Sequence, residues 1–186
     1  MSVLAIDTSS RSRVVCVVAS ATGEPLDAEV IRDASVAASL PRLLGRMLVA
    51  VDTAVVVVTG PGTYTGVRAG MAAALGVAHA RNLPLHGVGS LEVVAGGDPE
   101  AATSDWAVAE AGRGALYVAL VGDAAHPSRV PEAGFDAGGA RVLSSDRIGI
   151  AGLVLLDPAV ALARAVPLAL SRAALDRSAL TALYVD

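Results

Sequence analysis

AVVVVTGPGTYTGVRAG, residues 54–70, decides how the chain is read. Thr53 to Thr59 is an apolar run without alternation. A strand apolar on both faces belongs in the middle of a sheet that is covered on both sides. A turn follows, with Gly60, Pro61 and Gly62, and a helical pattern then runs from about Tyr64 to Arg81. A glycine-rich turn between a buried strand and a helix is a common anion site. The helix start offers unpaired N–H groups and a partial positive charge, and Thr63 or Thr65 is placed to serve as N-cap. Neither specific phosphate motif is present. Where the P-loop ends in Gly-Lys-Ser/Thr, this chain has Gly66, Val67 and Arg68, and the dinucleotide fingerprint fails because Gly66 comes one position late after Gly60 and Gly62. Two readings stand. The loop contacts a ligand, or its glycines only permit backbone angles that other residues resist.

The helix after the turn carries Gly66, Gly70 and Gly76. Each internal glycine costs about 0.8–1 kcal/mol against alanine, so a compensating reason is expected. With Ala69, Ala73 and Ala80 they form a small-residue stripe at spacings of three and four, beside Val67, Met71, Leu75 and Ala78. Both faces of this helix are expected to be covered, one of them by a partner chain. A helix sandwiched inside one chain is the alternative.

Working outward, VLAIDTSS, VVCVVAS and LDAEVIRD read as three strands joined by turns. Leu40, Leu43, Leu44, Met47, Leu48 and Val51 recur at helical spacing, with Pro41 tolerated if the regular helix begins near Ser39. Pro84 to Val88 is a strand and Leu91 to Ala95 a short helix. Alternation of strands and helices implies a partly parallel sheet. Residues 96–105 are the best linker, which divides the chain into an N-terminal lobe, 1–98, and a smaller C-terminal lobe, 99–186. In the second, Trp106–Ala109 and Ala115–Val121 pair around a turn, residues 122–140 are loop-rich, and Leu153–Leu156 is a strand. Asp157 caps a helix running through Val166, residues 171–180 are a further candidate helix, and the ending TALYVD a candidate strand.

Composition narrows the chemistry. The 186 residues are 54% apolar but only 3% aromatic, so the core is made of Ala, Val and Leu. All fourteen basic residues are arginine. Chemistry that needs a lysine, as a phosphate binder, Schiff base or general base, is excluded. Net charge is −4 and the arginines are scattered, so no basic stripe of the kind that binds nucleic acid alone is visible. Cys16, the single cysteine, lies in an apolar run and reads as buried and inert. No leader and no membrane-length apolar run is visible, so the chain reads as soluble and cytoplasmic. Asp7 ends the first strand, where a carboxylate could hold a metal or orient water, and Thr8 and Ser9 could contact phosphate; a plain turn is the alternative. His79, His86 and His126 form no zinc pair, and no serine elbow is present. The residues offer a crevice without a complete catalytic set.

The stretch GPGTYTGVR, residues 60–68, resembles the glycine-rich signature of the TsaB (YeaZ) family. LAIDTSS, GRGALY at 112–117 and the ending ALYVD resemble other stretches of that family in the same order. The resemblance implies an α/β fold of the actin/Hsp70/sugar-kinase type, with two related lobes, each a mixed sheet flanked by helices. It implies a non-catalytic accessory subunit that binds and activates the TsaD transferase, which threonylcarbamoylates the adenosine beside the tRNA anticodon. The TsaE ATPase joins that complex and uses ATP, tRNA is met only through the complex, and this chain binds no cofactor or metal of its own. It further implies a dimer contact through the first two long helices, at Leu40, Leu43, Leu44, Met47, Val67, Gly70, Met71, Ala74 and Leu75, with self-pairing in isolation as a variant. Asp7, Thr8 and Ser9 would then be a vestigial nucleotide site, and Gly60, Pro61, Gly62, Thr63, Tyr64, Thr65, Gly66 and Arg68 the retained loop. The chain departs from the family's pattern at Ser35 and near Glu110, where histidine and aspartate are usual. The competing reading is a small-molecule kinase or ATPase of the same superfold.

Overall fold

A computed structural model of the chain describes residues 1–32 and 36–176. Its frame is two five-stranded sheets. The first contains β1 (Ser2–Asp7), β2 (Arg13–Ser20), β3 (Pro25–Arg32), β4 (Ala54–Val58) and β5 (Leu85–Val88), in the order β3-β2-β1-β4-β5. β1, β2 and β3 form an antiparallel meander, whereas β1, β4 and β5 run parallel. Parallel neighbours need long crossovers, and these are α1 (Val36–Met47) before β4 and α2 (Tyr64–Ala80) before β5. α3 (Ser90–Gly97) then leads to the second sheet, β6 (Trp106–Gly112), β7 (Ala115–Leu120), β8 (Ser128–Pro131), β9 (Val142–Ser144) and β10 (Leu153–Leu155). α4 (Pro158–Arg164) and α5 (Val166–Leu170) follow.

The second sheet repeats the first. Its order, β10-β9-β6-β7-β8, places the three antiparallel strands and the two parallel ones as in the first. The helices are not repeated: no α-helix stands between β8 and β9 or between β9 and β10, where the first sheet has α1 and α2. β8, with four residues, falls in the stretch read as loop, and β9, with three, lies just beyond it where no element was expected; strands that short show no periodicity.

β1 and β4 are buried on both faces, as the unbroken apolar runs require. Leu4, Ile6, Val55 and Val57 point into one core with Leu43, Met47, Val67 and Ala74 of α1 and α2. Val3, Ala5, Val56 and Val58 point into another with Ala161, Leu162, Val166 and Ala169. This second core corrects the division at residue 98. α4 and α5 follow the second sheet in sequence but close the open face of the first. α3 lies between the lobes, with Leu91 and Val94 against Ala107, Tyr117 and Leu143. The Asp157 carboxylate accepts hydrogen bonds from Ala159 N–H at 2.8 Å and Val160 N–H at 3.1 Å, so it caps α4 as its position suggests.

α1 begins at Val36, not near Ser39, and Pro41 lies inside it. Proline has no N–H, so one bond of the helix ladder is missing there. Ser35, residues 177–180 of the expected last helix and the TALYVD ending lie outside the described residues. Among the described residues no helix is long and apolar enough to cross a membrane.

Candidate functional site

Three segments meet at the carboxyl ends of β1 and β4, the edge of a parallel pair where ligands of such sheets bind. They are Asp7 to Ser9, the glycine-rich turn after β4, and the loop after β9 that carries Asp146. The turn is tied down on both sides. Thr63 N–H donates to the Ser9 carbonyl at 2.8 Å, and the Thr8 hydroxyl donates to the Gly66 carbonyl at 2.7 Å. Ser90, opening α3, donates from its N–H to the Gly60 carbonyl at 2.8 Å and from its hydroxyl to the Pro61 carbonyl at 2.6 Å. The Gly60–Pro61 peptide is cis.

The glycines follow from that packing. A Cβ at Gly62 would stand 2.6 Å from the Ser9 carbonyl oxygen. One at Gly66 would collide with the Thr8 carbonyl oxygen, and one at Gly70 with the Thr8 hydroxyl. Thr63 stands at the N-cap of α2 without a side-chain capping bond. The exposed Tyr64 ring carries the Arg68 guanidinium over its face, 4.9 Å from the centroid.

Asp7 is buried and held on both of its carboxylate oxygens. One carboxylate oxygen accepts from the Ser9 N–H at 2.9 Å and from its hydroxyl at 2.6 Å. The other accepts from Arg13 Nη1 at 2.7 Å. Arg13 Nε donates to Asp146 of the second lobe at 3.0 Å, and the Ser10 hydroxyl reaches the same Asp146 oxygen at 2.9 Å. All three charged side chains are at most 8% exposed. Burial alone would push the Asp7 carboxyl up, but the Arg13 charge and the Ser9 bonds outweigh it and hold the group below its ordinary value. Burial likewise works against the Arg13 charge, and Asp7 and Asp146 together overcome it. Arg13 therefore fills the place beside Asp7 that a ligand's cation or hydrogen-bond donor would take, and it clasps the two lobes together. Neither Arg13 nor Asp146 was marked by the sequence. An arginine opening an otherwise apolar strand was the available signal for the first; the second comes from another lobe and had none.

The structure corrects the expected interface residues. Leu40, Leu43, Leu44, Met47, Val67, Met71 and Ala74 are buried in this chain's own core, and Leu75 packs against it. Gly70 faces Thr8. The small-residue stripe is split around the helix. Its outward part on α2 is Gly76 and Ala80, beside exposed Ala72 and Arg68, and on α1 the outward residues include Arg42, Gly45 and Arg46. Among the described residues, no atom beyond the helix's own backbone lies within 4 Å of a Cβ built on Gly76. Gly76→Ala is therefore expected to stabilise the isolated chain by about 1 kcal/mol, read as a higher urea midpoint with an unchanged slope.

Cys16 is buried, and burial first, then the Asp7 charge, pushes its thiol up to about 12. Among the described residues no group of three or more His, Cys, Asp or Glu side chains is placed to hold a metal ion.

Comparison with known proteins adds the following. A family profile described as "TsaD: tRNA N6-adenosine threonylcarbamoyltransferase" matches residues 34–126, half of the chain. An uncharacterised protein of Mycobacterium tuberculosis is 54% identical over 43 residues, 23% of this chain and 20% of that protein. One of Mycobacterium leprae is 39% identical over 103 residues, 50% of this chain and 28% of that protein. The matched segments thus span between a fifth and about a quarter of these relatives' lengths. The solved structure of YeaZ from Pseudomonas aeruginosa superimposes with a TM-score of 0.69 at 22% identity, covering 99% of both chains. The two mixed sheets flanked by helices are thus the actin/Hsp70/sugar-kinase-like arrangement of YeaZ.

Proposed function

Since the chain belongs to the family described as TsaD: tRNA N6-adenosine threonylcarbamoyltransferase and has the fold of YeaZ, we propose that it is a non-catalytic accessory subunit. It binds and activates a TsaD transferase for threonylcarbamoylation of the adenosine beside the tRNA anticodon, in the cytoplasm. The TsaE ATPase joins the assembly, which supplies most of the affinity for tRNA.

One observation carries the non-catalytic part of this reading. Asp7, the carboxylate best placed to serve a nucleotide or metal, already accepts from Arg13 and Ser9. A buried carboxylate held on both oxygens by an arginine and by Ser9 is poorly placed to take up a metal ion or activate a substrate as well. The outward face of α1 and α2 supports the partner. Ala72, Gly76 and Gly45 leave it low enough for another helix pair to approach closely. A second copy of this chain would meet the same face in the absence of the transferase.

The test is reconstitution of threonylcarbamoylation from the purified transferase, ATPase and adenylate-forming enzyme of the same organism, with the modified nucleoside quantified. Product is expected only when this chain is added, and none from this chain alone. Equal product without it would sink the reading. Gly76→Arg is expected to leave the chain folded and abolish both the complex on gel filtration and the activation.

A further inference from the structure

A second feature lies between the lobes. A cleft of roughly 480 Å³ is lined by Arg11, Arg113 and Arg129, by Gly62 and Thr63 of the turn, and by Tyr117. Its arginines come from three places: the turn between β1 and β2, the tip of the β6–β7 hairpin, and β8. The β7–β8 register sets Arg129 directly opposite Tyr117. Gly112, with φ of +71°, leaves room for Arg11, whose Nη1 would stand 2.5 Å from a Cβ built there.

The charge of this cleft is not offset. No carboxylate lines it. Arg13, Arg42, Arg46, Arg141 and Arg172 each pair with an acidic side chain. Among the described residues, the guanidinium groups of Arg11, Arg113 and Arg129 have no hydrogen-bond or ion-pair partner. In a chain of net charge −4, three unpaired guanidiniums at one cleft are a local concentration that the overall count hides. The start of α2 borders the same space and adds its positive end.

We propose that this cleft binds the phosphodiester backbone of single-stranded RNA. Arginine matches phosphate geometry, and each contact releases a condensed counterion. A pocket for a small ligand encloses most of it. Here all three arginines stand exposed, which suits a strand running along the cleft rather than a molecule sealed inside it. The exposed Tyr64, its ring already carrying the Arg68 guanidinium, borders the same cleft. The inference does not rest on the accessory role, because the assay below contains no transferase, and each reading can fail alone.

The full chain is titrated into a short labelled single-stranded RNA of mixed sequence, and anisotropy is followed from about 50 to about 200 mM salt. Three phosphate contacts at about −0.7 each predict a slope of log affinity against log salt of about −2. Replacing Arg11, Arg113 and Arg129 together by alanine is expected to lower affinity at low salt about tenfold or more and flatten the slope, with the melting temperature unchanged. Arg32→Ala, outside the cleft, is expected to alter neither. Absence of RNA binding, or equal affinity and slope in the triple variant, overturns the proposal. So does complete displacement of RNA by tripolyphosphate or ATP at matched phosphate concentration, which would reassign the cleft to a small polyphosphate.

Discussion

Arg13→Met is expected to remove about 3–5 kcal/mol of stability, the usual effect of deleting one partner from a buried ion pair. A protein of this kind has only about 5–15 kcal/mol in total, so a large part of the urea resistance should disappear. The size follows from what is left behind. Asp7 and Asp146 would stay buried, facing one another from two lobes, without the guanidinium that both now share. The pH dependence distinguishes this account from simple loss of packing. In the native chain the Asp7 carboxyl lies below its unfolded value. Its stabilising contribution is therefore full above an unfolded pKa of about 3.9 and is lost as pH falls through the folded value. In Arg13→Met only the two Ser9 bonds are left to oppose burial, and the Asp146 charge is no longer screened by the guanidinium; the Asp7 pKa is expected to rise past the unfolded one, so that the folded state binds the extra proton. The variant should gain stability relative to the native chain as pH is lowered from 7 towards 5. Adding Asp7→Asn and Asp146→Asn should restore at least half of the loss. If the single variant instead shows native stability with a flat profile, Arg13 is not the counter-ion of this cluster.

Gly70→Leu is the second large effect, and it concerns folding before assembly. The Cβ position at Gly70 is taken by the Thr8 hydroxyl, which donates to the Gly66 carbonyl. A leucine there must push Thr8 aside. Overpacking costs about 1–3 kcal/mol, and breaking the buried hydrogen bond about 1–3 more. A loss of about 3–5 kcal/mol is expected in urea unfolding of the isolated chain. Coupling to Thr8 is the check. Gly70→Ala and Thr8→Ala should each destabilise, and the pair should cost less than their sum because the second removes the obstacle to the first. Strict additivity would mean that Thr8 is not what excludes a side chain at position 70.

These two positions show how far the sequence reaches. The valine run before the turn reads correctly as a strand covered on both sides, because burial on both faces leaves no polar alternation. Asp157 is legible as a cap, since capping is local chemistry. Asp7 is legible as a special carboxylate at a strand end. What Asp7 does is not, because its partner arginine is in turn satisfied by Asp146, 133 residues along the chain from Arg13. The glycine stripe is a similar case. Spacing reveals that small residues recur on the helix, but not which neighbour requires each one. Gly66 and Gly70 answer to Thr8 in the same chain, and Gly76 meets nothing outside its own helix among the described residues. A stripe that looks like one surface is two.

The return of α4 and α5 to the first sheet has a consequence for synthesis. All five strands of that sheet have left the ribosome once Val88 has emerged, but the helices that cover Val3, Ala5, Val15 and Val17 are encoded after the whole second sheet. At about 5–20 residues per second, one valine-rich face stays wet for several seconds while the rest of the chain is made. The nascent protein therefore passes its most adhesive moment half-built, and whatever shields it then, chaperone or ribosome surface, has to let go when the last helices arrive.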